Sequence, residues 1–356
     1  MTHARVHEID LLRFIAALMV VFFHYAFRGY AVDATIMPYP LLAPLAKYGY
    51  LGVQLFFMIS GFVILMTASN GNLKGFIISR MVRLYPAFWV CCTLTFVVTI
   101  AIGKPTHFAS VSQYLVNMTL LSEFVGVPPM DGVYWSLFVE MRFYAMVAVV
   151  LVIGRIHQAQ GFLFVWLVTS IALEWIPVRK LNFLLIVDTS ALFIAGATYF
   201  LVWSQGLSRT RVGMIVLSWG LATVQAIKML SKFETRYNTP MDPILVTGMI
   251  TAFFVVMFLV SMRYTGIVGQ KRWLGVGALT YPLYLLHEKI GYMIFNIAYP
   301  AINAHILFWG TLAGVLGASL AVHLFVEKQL SLPMKNALNN LVDRIQRDFH
   351  PILRVL

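Results

Sequence analysis

The chain of 356 residues is 60% hydrophobic and only 11% charged, and its formal net charge at pH 7 is +12. A soluble domain carries roughly 25% charged residues, so this composition excludes a soluble enzyme, a disordered regulator and a repeat scaffold. The excess of Lys and Arg does not indicate a nucleic-acid partner, because no basic run alternates with aromatic residues as a nucleic-acid surface requires. In an apolar protein such an excess is typical of cytoplasmic loops. The composition therefore predicts a protein embedded in a lipid bilayer.

Ten apolar segments lie between charged residues and Pro or Gly breaks, and a membrane-spanning helix needs about 20 such residues. The apolar runs are continuous rather than alternating, which favours helices over a closed β-barrel. We therefore predict an all-α polytopic membrane protein with about ten transmembrane helices. In chain order the predicted spans are residues 9–27, 49–68, 84–102, 133–153, 161–176, 181–202, 212–229, 244–262, 278–298 and 306–325.

The distribution of Lys and Arg predicts the orientation of these spans. Placing the N-terminus inside puts most of the loop and tail cations on the cytoplasmic side, so both termini are expected to be cytoplasmic. Residues 1–330 form the predicted integral-membrane domain, and residues 331–356 a basic amphipathic tail on the inner membrane face. The longest loop, 103–132, is expected outside, and its apolar segment 114–121 is expected to turn back into the membrane.

Charged or titratable residues within a span are costly and indicate function by default. Arg13 and His24 in the first span are 11 residues apart, which places both on one stripe of a helix, about 16 Å apart along its axis. His24 is a candidate catalyst in the outer half of the membrane, with a hydrogen-bonded packing residue as the alternative. Arg13 lies near the cytoplasmic surface, where it either snorkels or pairs with Asp10, one turn away.

Two further spans place polar side chains at the depth of His24. Glu140 in the fourth span is expected about 10 Å below the outer surface, and Gln54 in the second span falls at a similar level. We therefore predict one buried polar layer in which Glu140 orients His24, with a structural His–Glu pair as the alternative. His287, near the middle of the ninth span, is a second candidate catalyst or a helix-to-helix hydrogen-bond partner.

The segment before the third span contains Arg80 and Arg83 at i and i+3. Two such arginines share a helix face and can hold a phosphate in fork geometry, although ordinary positive-inside flanking gives the same pattern. Cys91 and Cys92 are adjacent and cannot join distant segments, so we expect neither a disulfide framework nor a metal site. Their expected role is packing, with a thioester-forming nucleophile as the alternative.

Five short motifs follow one another in order between residue 9 and about residue 330. Together they resemble membrane acyltransferase family 3, which includes the O-acetylases of bacterial surface polysaccharides and nodulation factors. Each motif alone is weak, but five in order with the expected spacing are specific. The motifs are residues 9–17, which include Arg13, followed by His24; residues 52–62 with Gln54 and Ser60; Arg80, Arg83, Leu84, Tyr85 and Pro86; Trp135, Ser136, Leu137, Glu140, Phe143 and Tyr144; and Tyr284 to His287 with a closing Val326, Glu327 and Lys328.

The resemblance implies transfer of an acyl group, usually acetyl from acetyl-CoA, to a sugar hydroxyl at the bacterial inner membrane. It implies that His24 and Glu140 are catalytic and that Arg13, Arg80 and Arg83 bind acyl-CoA, with no permanently bound cofactor. The expected partners are acyl-CoA, the bilayer, and a glycan or lipid-linked saccharide acceptor. A transporter or flippase for a lipid-linked sugar, using the same polar layer as a path, is the alternative. The supporting polar residues are Asp10, Gln54, Ser60, Tyr85, Trp135, Ser136 and His287.

Overall fold

The computed structural model describes residues 6–349, and these residues contain helices and turns but no β-strand. Nine segments within them are long and apolar enough to cross a membrane, which confirms the prediction of an all-α polytopic membrane protein. The long helices are α1 His7–Ala31, α2 Ala43–Ala68, α3 Leu73–Ile102, α4 Gly132–Val152, α5 Ile156–Trp175, α6 Arg179–Gln205, α7 Arg209–Tyr237, α8 Pro243–Ser261, α9 Leu274–Ala298, α10 Ala304–Val322 and α11 Lys328–Phe349.

Helix α9 is the predicted ninth span, but it is not one of the nine apolar segments. Its 25 residues give a length of about 37 Å, which is enough to cross a bilayer. His287, Glu288 and Lys289 in its middle lower its hydropathy, and the first two side chains are buried. The helix packs against α1, α3 and α10, so the polar residues of α9 lie inside the bundle. Pro282 lies within this helix rather than at its start.

Helix α3 begins at Leu73, well before the predicted start of the third span at residue 84. The side chain of Asn72 caps it by accepting a hydrogen bond of 2.8 Å from the backbone N–H of Gly75, as N-cap residues commonly do. Arg80 and Arg83 therefore lie within a continuous helix rather than in a loop.

The loop between α3 and α4 turns back along α3. The Trp89 indole donates a hydrogen bond of 3.0 Å to the carbonyl oxygen of Met118, and the Tyr85 hydroxyl donates one of 3.1 Å to that of Thr119. Tyr85 lies about 25 Å before the end of α3 at Ile102, at 1.5 Å per residue. The loop thus reaches the middle of the bundle, as the apolar character of segment 114–121 predicts.

Contacts between a helix end and a neighbouring loop define two faces of the bundle. On the face where α1 begins, here called the proximal face, the Thr265 hydroxyl donates a hydrogen bond of 2.5 Å to the Glu8 carboxylate. On the opposite, distal face, the Asn296 amide donates one of 3.1 Å to the carbonyl oxygen of Ala34. Whether the proximal face and both termini are cytoplasmic stays a prediction.

Helix α11 continues from α10 through a π-helical turn, His323–Glu327. It packs against α3, and Lys74 pairs with Asp343 across this contact at 2.5 Å. Helix α11 therefore contains the first part of the predicted amphipathic tail, 331–356, whose last residues, 350–356, lie outside the described residues. The predicted division at residue 330 falls within α11.

Helices α2 and α6 pack with their backbones in contact because a glycine lies on each side. A Cβ atom at Gly196 would overlap the carbonyl oxygen of Met58, and one at Gly61 would overlap that of Phe193. A side chain at either position would force the two helices apart.

We expect Gly196→Ala to destabilise the protein by about 1–3 kcal/mol, the usual cost of overpacking. The measurement is the melting temperature, at which half of the protein in detergent is no longer monodisperse. Gly248→Ala is the control, because a Cβ there meets nothing within 4 Å, and alanine favours a helix by up to about 1 kcal/mol. Equal melting temperatures for Gly196→Ala and the wild type would contradict this account of the contact.

Candidate active site

Within residues 6–349, most of the predicted polar residues line two cavities, one in each half of the bundle. The proximal cavity, of about 520 Å³, is lined near the start of α1 and α9 and the end of α10. The distal cavity, of about 1070 Å³, is lined near the end of α1 and α7 and the start of α2 and α4. Phe57 and Tyr284 line both cavities, so the two meet between α2 and α9.

Helix α1 contributes one residue of the predicted Arg13–His24 pair to each cavity. Arg13 lines the proximal cavity and His24 the distal one. Beyond Phe23 the helix forms a π-helical turn, His24–Arg28, in which the backbone N–H of Gly29 bonds to the carbonyl oxygen of His24. Such turns often occur at functional sites.

Three guanidinium groups line the proximal cavity, those of Arg13, Arg80 and Arg83. Arg83 donates a hydrogen bond of 3.3 Å to Glu327 and lies 5.5 Å from the centre of the Tyr281 ring. Arg80 and Arg83 are one turn apart on α3, so both guanidinium groups face the same space. Clustered arginines of this kind bind phosphate groups through charge-assisted hydrogen bonds.

Glu140 also lines the proximal cavity, together with Asp10. Its carboxylate accepts a hydrogen bond from the Ser60 hydroxyl, and it lies close enough to Arg13 to interact electrostatically. Ser136, one turn before Glu140, shares a hydrogen bond of 2.7 Å with the Tyr284 hydroxyl at the boundary between the cavities.

The His24 imidazole is buried at the wall of the distal cavity. Its Nδ1 lies 2.8 Å from the carbonyl oxygen of Val20 and 3.0 Å from Nε2 of His287. Its Nε2 lies 3.7 Å from a carboxylate oxygen of Glu288. His24 therefore has hydrogen-bond partners on one nitrogen and a carboxylate beside the other.

Glu288 is buried, and its second carboxylate oxygen forms an ion pair with Arg28. The Arg28 guanidinium also donates a hydrogen bond of 3.4 Å to the Tyr292 hydroxyl. Asp131, in the loop before α4, lies against the same carboxylate. Burial and the negative charge of Glu288 raise the pKa of Asp131 well above its usual value, which favours the neutral acid at Asp131.

The predicted pairing of Glu140 with His24 is not found; the carboxylate next to His24 is Glu288. The reason is the direction in which each side chain leaves α4. Ser136, Glu140 and Tyr144, four residues apart, face the proximal cavity, whereas Trp135 and its neighbours on the adjacent stripe face the distal cavity. The equal depth predicted from residue counting therefore did not bring Glu140 to His24.

The other predicted residues divide among several places rather than forming one layer. Asp10, Ser60 and Ser136 line the proximal cavity, and Gln54 and Trp135 line the distal cavity. His287 lies behind His24 and lines neither cavity. Tyr85 is not a cavity residue, because its hydroxyl binds the loop at Thr119. Cys91 and Cys92 are buried and line neither cavity, which agrees with a packing role.

Three residues of the site were not predicted as site residues from the sequence: Arg28, Tyr284 and Glu288. Glu288 carried a usable signal, because it is a carboxylate beside His287 in the middle of a span, where charge is costly. Arg28 resembled an ordinary cation at a helix end. Tyr284 begins the fifth motif, but its residue type alone does not distinguish it from the neighbouring aromatic residues of α9.

The fold and these cavities define a polytopic membrane protein in which a buried histidine and partly buried arginine side chains face internal space. A family model described as an acyltransferase domain, that of acyltransferase family 3, matches residues 6–326. The chain therefore belongs to this family of acyltransferases, which confirms the resemblance carried by its motifs.

The chain is also similar to Nodulation protein 10 of Rhizobium leguminosarum bv. viciae, with 28% identity over 254 residues. The match covers 62% of this chain and 66% of the length of that relative. No solved structure matches the chain significantly.

Proposed function

We propose that the protein is a membrane O-acyltransferase that transfers an acyl group, acetyl in the simplest case, from acyl-CoA to a hydroxyl of a surface or secreted glycan. The observation that carries the proposal is the pair of cavities. One contains three arginines and the other contains His24, and they meet at Phe57 and Tyr284. A donor and an acceptor that enter from opposite faces would meet at that boundary.

The donor is assigned to the proximal cavity. Arg80, Arg83 and Arg13 would hold the phosphates of coenzyme A, since guanidinium groups match phosphate oxygens in charge and geometry. The positive-inside distribution of Lys and Arg supports a cytoplasmic proximal face, where acyl-CoA is made, and hence an inner-membrane location. The pantetheine arm would pass between Phe57 and Tyr284 toward His24.

The acceptor is assigned to the distal cavity because the polar side chains that line it include both hydrogen-bond donors and acceptors. Such a lining suits a hydroxyl-rich ligand, since each hydroxyl both donates and accepts. These side chains are Tyr50, Gln54, Arg142 and Asn182.

In the proposed reaction, Nε2 of His24 removes the proton from the acceptor hydroxyl. The hydroxyl oxygen attacks the thioester carbonyl carbon, so a C–O bond forms and the C–S bond breaks. The imidazolium then returns the proton to the leaving thiolate, which gives free coenzyme A and the O-acyl product. Glu288, rather than Glu140, stabilises the imidazolium, as a carboxylate does beside other catalytic histidines.

A carrier for a lipid-linked sugar is the second candidate function, because two cavities that meet inside the bundle also suit a translocation path. Family membership favours the enzyme. Purified protein in detergent with labelled acetyl-CoA separates the two functions, since only an acyltransferase releases free coenzyme A and transfers the label.

We expect His24→Ala to abolish acyl transfer while the protein still inserts and folds, because the general base is lost from a helix that stays apolar. A loss of about 10²–10⁴-fold is the usual contribution of such a base. The measurement is glycan O-acetylation in a deletion strain that expresses the variant. His157→Ala, an exposed histidine, is the control, and near-normal acetylation by His24→Ala would refute the assignment.

The arginine pair is tested by donor affinity. Removing Arg83 deletes a charge-assisted contact far from the reacting carbonyl, so the KM for acetyl-CoA should rise about tenfold while kcat changes less. Arg83→Lys should restore affinity only in part, because it keeps the charge but loses the fork geometry.

Calorimetric titration of acetyl-CoA into wild type, Arg83→Lys and Arg83→Ala measures this effect, with Arg209→Ala at an exposed position outside both cavities as the control. If the arginines only flank the span as the positive-inside rule requires, Arg83→Lys should behave like the wild type. Arg83→Ala should then change yield or topology rather than donor affinity. Equal donor affinity in all three proteins would leave phosphate binding without support.

The two carboxylates should have different kinetic effects. Glu288→Gln should lower kcat with little change in the KM for acetyl-CoA, because it removes the charge beside Nε2 of His24. Glu140→Gln should mainly change that KM, because Glu140 lies with Arg13 in the proximal cavity. Steady-state kinetics of both variants are the measurement. If Glu140→Gln alone lowered kcat, the originally predicted role of Glu140 would be favoured.

A further inference from the structure

His287 is fully buried in α9 and lies directly behind His24. The centres of the two imidazole rings are 4.9 Å apart, and the side chain lines neither cavity. The carbonyl oxygen of His287 also accepts a hydrogen bond of 2.8 Å from the Tyr25 hydroxyl. Because the side chain lines neither cavity, it would act on the reaction through its neighbours, and His24 is the neighbour whose side chain it contacts at hydrogen-bond distance.

The hydrogen-bond partners of His287 fix the position of its proton. Its Nδ1 lies 3.1 Å from the carbonyl oxygen of Leu283 and 2.9 Å from that of Tyr284. A carbonyl oxygen can only accept, so Nδ1 carries the proton and donates it. In the neutral imidazole the other nitrogen, Nε2, is then an acceptor.

The same argument then fixes the proton of His24. Its Nδ1 faces two acceptors, the Val20 carbonyl oxygen and Nε2 of His287, at 2.8 and 3.0 Å. The opposite tautomer would place a lone pair of Nδ1 against both of them. It would gain only a weak interaction with Glu288, whose oxygen at 3.7 Å from Nε2 is beyond hydrogen-bond distance. The proton therefore resides on Nδ1, and Nε2 keeps its lone pair.

We propose that His287 is a positioning residue that holds His24 in the tautomer with the proton on Nδ1, so that Nε2 is free to take a proton from the acceptor hydroxyl. The inference rests on the proposed function, in which His24 is the base. A carboxylate commonly holds the second nitrogen of a catalytic histidine. Here a neutral imidazole does so, and the carboxylate of Glu288 lies on the side of the reacting nitrogen.

This arrangement has a physical consequence for the resting site. Glu288 alone would attract a proton to Nε2 of His24 and so block the base. His287 opposes that effect because its Nε2 accepts a hydrogen bond from the N–H at Nδ1 of His24. The Val20 carbonyl oxygen also accepts a hydrogen bond from Nδ1 of His24, but it already accepts one from the backbone N–H of His24. His287 therefore supplies an additional acceptor for Nδ1.

The test uses the full-length protein with ¹⁵N-labelled histidine in lipid nanodiscs. The chain has nine histidines, and the His24 signals are assigned by their loss in His24→Ala. In the wild type the protonated-nitrogen signal should belong to Nδ1. In His287→Leu a second population protonated at Nε2 should appear.

The same variants are assayed for acetyl transfer from acetyl-CoA to membranes of the deletion strain. His287→Leu should lower kcat by about 100-fold, within the range for impaired general-base catalysis, with an unchanged KM for acetyl-CoA. His287→Gln should regain part of that loss, since its amide oxygen can accept from Nδ1. Tyr25→Phe is the matched control, because it removes the bond to the His287 carbonyl and leaves both imidazoles intact.

An unchanged His24 tautomer and unchanged kcat in His287→Leu would overturn the inference and show that Val20 alone is sufficient. That result differs from failure of the proposed function. If His24→Ala itself stays active, the base assignment is wrong. If His24→Ala is inactive and His287→Leu is normal in both measurements, only the role of His287 is wrong.

Discussion

The distal site depends on one buried ion pair, between Arg28 at the end of α1 and Glu288 in the middle of α9. A carboxylate taken out of water costs several kcal/mol unless a partner compensates its charge, so Arg28 allows Glu288 to remain ionised beside His24. The start of α4 must also come close, and Gly132 permits this because a Cβ there would lie 2.6 Å from a Glu288 oxygen. The contact between α1 and α9 therefore defines both the fold and the site.

A second constraint is that each helix offers different faces to different cavities. Glu140 and Ser136 on α4 face the proximal cavity, whereas Trp135 faces the distal one. Tyr284 on α9 contacts both cavities and is held by Ser136 across the boundary. The same few helices thus separate the arginines from His24 and still allow the two spaces to meet. In the proposed reaction, this geometry would keep the acyl donor and the acceptor apart until they reach the boundary.

Much of the site could be predicted residue by residue, because charge in a membrane span is rare and costly. That rule identified Arg13, His24 and Glu140, each of which lines one of the two cavities. The partner of His24 could not be predicted in the same way. Depth along a helix follows from counting residues, whereas the direction of a side chain relative to other helices depends on how the bundle packs. Glu140 was predicted at the depth of His24 but lines the other cavity.

The sequence by itself determined the helical membrane class, the approximate spans and the family, because apolar length and short motifs are local properties of the chain. It also indicated that α9 carries unusual polar residues. Only the tertiary structure decided that Glu288 and His287, rather than Glu140, surround His24, and that the polar residues form two cavities. The physical reason is that hydrogen bonds and ion pairs between helices depend on rotation and crossing angle, which arise from the packing of the whole bundle.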